Sequence, residues 1–140
     1  MLSADSLTKI DKELSKYPPD RKQSGVMAAL RIAQEEKGFV SNEIIEFVAG
    51  YLGMAPIAVQ EVATFYTMYD LAPVGRNKIC ICTNLPCALR GANEIAHYLK
   101  RKLGIDFGET TPDARYTLKE GECFGACGDA PVVIHNNKKM

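Results

Sequence analysis

The sequence predicts an α+β chain, with a small helical bundle over residues 1–73 followed by an α/β unit over residues 74–140. Three observations predict it. The first part has no cysteine and repeats apolar residues at helical spacing between Gly and Pro stops. The stretch LAPVGRN then breaks that habit. Beyond it come an alternating β-prone run, an amphipathic helical stretch and two more β-prone runs, the pattern of one sheet with a helix packed on it.

The first helix is expected in DSLTKIDKELSKY, where Leu7, Ile10 and Leu14 share a face and Pro18-Pro19 stops it. SGVMAALRIAQEEKG places Val26, Leu30 and Ala33 together and ends at Gly38. SNEIIEFVAGYLG opens with Ser41 and Asn42 as caps, carries Glu43 in its first turn and ends at Gly53. APIAVQEVATFYTMYD starts at Pro56 and carries Val59, Val62, Phe65, Tyr66 and Tyr69 as one helix. Four short helices with tight breaks form a bundle.

KICICT is read as a strand from about Lys78 to Cys82. PCALRGANEIAHYLKRKLG is read as one long helix, with Leu89, Ala92, Ala96, Leu99 and Leu103 on one face, Pro86 in its first turn and Gly104 at its end. RYTLKEGE and PVVIHN supply two further strands, and NNKK a closing turn. No internal repeat or low-complexity tract interrupts this order.

Apolar residues make up 46% of the chain and charged residues 24%, an ordinary globular composition. Seventeen basic and seventeen acidic side chains cancel, so the basic excess that nucleic acid or anionic lipid demands is missing. The start, MLSADSLTKIDKEL, has no basic-then-apolar signal pattern, and no apolar run approaches the roughly 18–20 residues that span a bilayer. The expectation is a soluble intracellular chain without direct membrane insertion. In that reducing setting, clustered cysteines point to metal binding or catalysis rather than to a disulfide frame.

There are five cysteines. Cys82 and Cys87 flank TNLP at the end of the first strand, and Cys123 and Cys127 flank FGA just before the last strand. Both pairs fall on loops at strand ends, where a sheet could gather them. A [2Fe–2S] cluster needs two thiolates on each iron, which two short-range pairs supply directly. Gly125 and Gly128 allow close backbone approach and amide donation to sulfur, while Ala126, Ala130 and Pro131 leave room and exclude water. The spacing favours iron–sulfur; it leaves open zinc, whose structural pairs are usually tighter, and redox or structural thiols. Neither a C-x-x-C dithiol nor a plant-type ferredoxin run is present. Cys80, two residues before Cys82, reads as a buried apolar residue rather than a ligand.

The stretch ICTNLPC, a helix, and TLKEGECFGACGDAPVVIHN together resemble the thioredoxin-like [2Fe–2S] subunit family of respiratory complex I, the bacterial NADH:quinone oxidoreductase. VQEVATFYTMYDLAPVGRNKI and SGVMAALRIAQEEKGFVS resemble it too, so the likeness runs from about Tyr17 onward. The resemblance implies that residues 74–140 form a thioredoxin-like ferredoxin domain. It implies that Cys82, Cys87, Cys123 and Cys127 ligate one [2Fe–2S] cluster. It implies a flavin- and NADH-binding partner subunit, with FMN and NADH on that partner only, and helical contacts to other peripheral-arm subunits. The cluster would take single electrons from FMN after NADH oxidation, at the cytoplasmic face and peripheral to the inner membrane. No Gly-rich nucleotide loop occurs here, so the chain alone is expected not to oxidise NADH. Sibling subunits serve NAD-linked hydrogenases and formate dehydrogenases; a structural zinc adaptor is the reading from another class. The chain stops at Lys138-Lys139-Met140, sooner after the last strand than the resemblance implies.

Other residues read blandly. His97 fits a helix edge and His135 a partner contact or simple exposure. Phe65, Tyr66, Met68 and Tyr69 suit a mixture of core and interface. Arg90 and Lys119 are expected to be solvated, and Glu122 and Asp129 would oppose reduction of a nearby cluster.

Overall fold

Ser3 opens the first helix: its hydroxyl oxygen accepts the Ser6 N–H at 3.2 Å, and α1 runs Ala4–Leu14. The computed structural model describes residues 1–140 and divides them into two compact units, Met1–Pro73 and Val74–Met140. In the first unit α2 covers Val26–Lys37, α3 Asn42–Leu52 and α4 Pro56–Phe65. Ser41 caps α3 as expected, accepting the Ile44 N–H at 3.3 Å. Gly38 and Gly53 close α2 and α3 in the left-handed region, with φ of 87° and 67°, which a side chain would strain.

Two features depart from the sequence reading. A tight 3-10 segment spans Pro19–Gly25 between α1 and α2. It brings Gly25 so near α1 that a Cβ there would meet Leu14 Cδ2 at 2.3 Å. The fourth helix stops at Phe65 instead of running on to Asp70, because Gln34 offers that backbone other partners. The buried Gln34 donates from Nε2 to Met68 O at 3.0 Å and accepts the Asp70 N–H on Oε1 at 2.6 Å. The Asp70 carbonyl in turn accepts the Val40 N–H at 2.7 Å. This turn carries Tyr69 into the core, where its hydroxyl donates to Met27 O at 2.8 Å. Phe65, Tyr66 and Met68 remain exposed. Ile10, Leu30, Ala33, Val40, Val48 and Val59 form the centre of this unit's core.

The second unit is a four-stranded sheet of order β2-β1-β3-β4. β1 is Asn77–Cys82, β2 Tyr116–Gly121, β3 Val133–His135 and β4 Lys138–Lys139. β1 and β2 are parallel; β3 is antiparallel to β1 and to β4. The single long helix of the sequence reading is two helices, α5 Leu85–Leu89 and α6 Ala92–Leu103. The chain breaks at Arg90-Gly91, with Gly91 at φ 94°. The break turns Leu89 out to 76% exposure, whereas Ala92 and Ala96 stay buried against Ile81 and Leu118. The apolar periodicity thus ran through a real interruption. The closing turn is also more than a turn: Asn136 and Asn137 take φ of 47° and 63°, and Lys138–Lys139 pairs back on Ile134 and His135. No helix is long and apolar enough to cross a membrane.

Candidate metal centre

The sheet topology decides where the cysteines go. Cys82 ends β1 in register with Gly121, which ends the parallel strand β2. β3 runs the other way, so its start lies at that same end, and the Cys82 N–H donates to Val132 O at 3.0 Å. The β2–β3 connection must therefore cross the end of β1, and Cys123 and Cys127 both lie on it. The β1–α5 loop leaves from the same place and is pinned to β2. The Thr83 N–H donates to Gly121 O at 3.0 Å, and the Thr83 hydroxyl donates to Glu120 Oε1 at 2.8 Å. Asn84 caps α5 by accepting the Leu85 N–H at 2.7 Å, Pro86 occupies the first turn, and Cys87 follows, 1% exposed.

The two loops meet at Cys82, which is 3% exposed. Its thiol donates to the Glu122 carbonyl at 3.6 Å. Burial pushes this thiol above its ordinary range, and a hydrogen bond with Cys87 adds to the rise. The backbone N–H groups of Asn84 and Phe124, one from each loop, hydrogen-bond the same sulfur and pull the other way. On the second loop Gly125, at φ 66°, donates its N–H to Cys123 Sγ at 3.4 Å. Cys127 opens a short 3-10 turn, Cys127–Asp129, and both Cys123 and Cys127 are exposed. Asp129 forms an ion pair with Lys139 of β4, which holds its carboxyl below the usual range.

The structure thus places Cys82 against Cys87 and against the loop of Cys123, while Cys123 and Cys127 face solvent beside them. Cys80 is buried within β1, in register with Lys119 and Ile134 rather than at the sheet end. His97 is exposed, and His135 lies half-buried with Nε2 3.1 Å from Asn77 Oδ1. No group of three or more His, Cys, Asp or Glu side chains converges on one point as metal ligands. A [2Fe–2S] cluster needs two thiolate sulfurs at each of two irons. Two cysteines on each of two neighbouring loops, with the Gly125 amide aimed at Cys123 Sγ, are donor chemistry of the kind such a cluster takes. The sequence reading missed Thr83, Glu120 and the Glu122 carbonyl as ties between the loops. Their backbone and hydroxyl contacts have no sequence signature.

A mixed sheet with a helix packed on it and four cysteines at one end defines a ferredoxin-type domain of thioredoxin-like fold. The thioredoxin-like [2Fe–2S] ferredoxin family matches residues 10–140, and the chain belongs to that family. The E subunit of the NADH-quinone oxidoreductase of Rickettsia bellii is 46% identical over 125 residues, 89% of this chain and 75% of that protein. The mitochondrial NADH dehydrogenase [ubiquinone] flavoprotein 2 of Dictyostelium discoideum is 43% identical over 134 residues. The match takes in 95% of this chain but 54% of that relative, so the chain spans about half its length. Among solved structures, an NAD+-reducing [NiFe]-hydrogenase in the H2-reduced state aligns with a TM-score of 0.70 at 22% identity, over 83% of this chain and 19% of that chain. That likeness concerns the fold.

Proposed function

We propose that this chain is the electron-transfer subunit of an NADH:quinone oxidoreductase, holding one [2Fe–2S] cluster on Cys82, Cys87, Cys123 and Cys127. The observation that supports the reading is the crossing of the β2–β3 connection, which carries Cys123 and Cys127, over the end of β1, where Cys82 lies. Cys82 and Cys87 would hold one iron, and Cys123 and Cys127 the other. Such a cluster supplies single-electron transfer, the step needed between a two-electron hydride donor and one-electron carriers.

The chain's own residues set the environment. Cys82 and Cys87 are shut away from water, while Cys123 and Cys127 lie at the surface. The amides of Asn84, Phe124 and Gly125 stabilise charge on sulfur, which favours the electron-rich state. Of the acidic residues flanking the second pair, Asp129 is paired with Lys139, which leaves the charge of Glu122 to oppose it. FMN and NADH would belong to a partner flavoprotein subunit, and Cys82, Cys87, Cys123 and Cys127 would hold the group that accepts single electrons from that flavin. Other peripheral-arm subunits complete the assembly, on the cytoplasmic side and peripheral to the inner membrane. The sequence relatives favour this assembly over the NAD-linked hydrogenase, which shares the fold.

The test is low-temperature EPR of the anaerobically purified chain before and after dithionite, with iron and zinc quantified on the same sample. Two irons per chain, silent when oxidised and S = 1/2 when reduced, support the reading. One zinc and no signal in iron-replete material overturn it. NADH should reduce the centre only when the flavoprotein is added; reduction of the pure chain by NADH would place a nucleotide site here and refute the division of labour.

A further inference from the structure

The loop carrying Cys123 is keyed into the sheet by one aromatic ring. Gly121 ends β2 and is buried, and its backbone is not in the left-handed region that would by itself ask for glycine. Its requirement is spatial. A Cβ there would meet Phe124 Cζ at 2.2 Å, Cε2 at 2.9 Å and Cε1 at 3.0 Å. The Phe124 ring therefore occupies the volume that any other residue at 121 would fill, and it packs into the unit's core. The same residue stands between Cys123 and Gly125, whose N–H reaches Cys123 Sγ at 3.4 Å. Gly121 is also the residue whose carbonyl accepts the Thr83 N–H of the first cysteine loop.

We propose that Phe124 seated on Gly121 is the positioning contact that sets the spacing between the Cys82/Cys87 loop and the Cys123/Cys127 loop, and that it seals Cys82 from solvent. This rests on the cluster reading for its consequence but not for its geometry. Three ring atoms stand within 3.0 Å of where a Cβ at 121 would be, so a methyl there must displace the ring, and with the ring packed into the core we expect the loop that carries Cys123 to shift with it. Neither residue contributes a ligand. Both act through the sulfurs they place.

The experiment uses the full chain with Gly121→Ala, Phe124→Leu, Phe124→Ala and the double variant Gly121→Ala/Phe124→Leu. The first readout is made on the metal-free chain: the rate at which iodoacetamide alkylates Cys82, read by mass spectrometry, with far-UV circular dichroism confirming the fold. Gly121→Ala and Phe124→Ala should each expose Cys82 and speed its alkylation about tenfold, the order of a local opening. Phe124→Leu makes room at 121, so the double variant should return toward the wild-type rate. The second readout is the EPR line shape and midpoint potential of reconstituted protein, which should move in Gly121→Ala and recover in the double variant. Unchanged alkylation and an unchanged spectrum in Gly121→Ala overturn the proposal. So does a defect that the leucine fails to relieve. Should Gly121→Ala not fold, Phe124→Ala alone decides: a Cys82 still protected there also overturns it. Wild-type protein that holds zinc instead of iron would refute the cluster reading, yet the alkylation series would still judge the key.

Discussion

The thiol of Cys82 lies 3.6 Å from the carbonyl of Glu122, which ties the end of β1 to the first residue after β2. This contact joins the two cysteine loops across the sheet end. The proposed ligand set can be tested on either side of it. Cys123→Ser removes a sulfur from the exposed half of the site, and its iron content and visible absorption should fall well below wild type. Cys80→Ser alters a strand residue outside those loops and should keep both. Absorbance and iron analysis of the two variants, prepared in parallel, check this; loss of the spectrum in Cys80→Ser would reverse the assignment.

The buried Thr117 hydroxyl anchors the entrance to β1. It accepts the Gly75 N–H at 2.6 Å and lies 2.7 Å from the Thr110 hydroxyl. Thr117→Val keeps the shape but strands the Gly75 amide and the Thr110 hydroxyl. Stability should drop by about 1–3 kcal/mol in urea unfolding, the usual cost of a buried unpaired polar group.

Glu36 makes the helical unit sensitive to acid. Hydrogen bonding from the Ser6 hydroxyl, then from Lys37, then from the Ser3 backbone and hydroxyl, holds its carboxyl far below the ordinary value of 4.5. A depressed folded value means the stabilisation is complete above 4.5, the unfolded value, and is lost as pH falls through the folded one. Wild type should therefore exceed Glu36→Gln in stability at neutral pH, and the gap should close as the solution is acidified below 4.5. Denaturation midpoints of both proteins across that range test the sign. A gap that widens in acid would contradict it.

Two glycines of the α3 segment should respond oppositely to alanine. Gly50 is exposed inside the helix with open space around it, so Gly50→Ala should stabilise by about 0.5–1 kcal/mol through a less flexible unfolded chain. Gly53 closes the helix at φ 67°, and Gly53→Ala should cost about 1–2 kcal/mol despite equally open surroundings. Urea unfolding of the pair separates backbone conformation from packing, since neither new methyl touches anything.

Elements whose signals are local could be read from the order of residues. Ser41, Gly38, Gly53 and Pro56 mark helix ends through hydrogen-bond geometry and φ preference, which act within a few residues. The C-x4-C and C-x3-C pairs were legible for the same reason, as was the family resemblance they carry. The remainder depends on partners far along the chain, and so on the folded arrangement. Helix α4 stops at Phe65 because Gln34, distant in sequence, takes the backbone of residues 68–70. The long helix breaks at Gly91 even though its apolar spacing continues, and Leu89 is left outside. The meeting of the cysteine loops is tertiary too. It arises because a parallel β2 and an antiparallel β3 flank β1, so the chain between them has to pass over Cys82. Spacing can pick out the cysteine pairs, but strand order brings their loops to one end of the sheet.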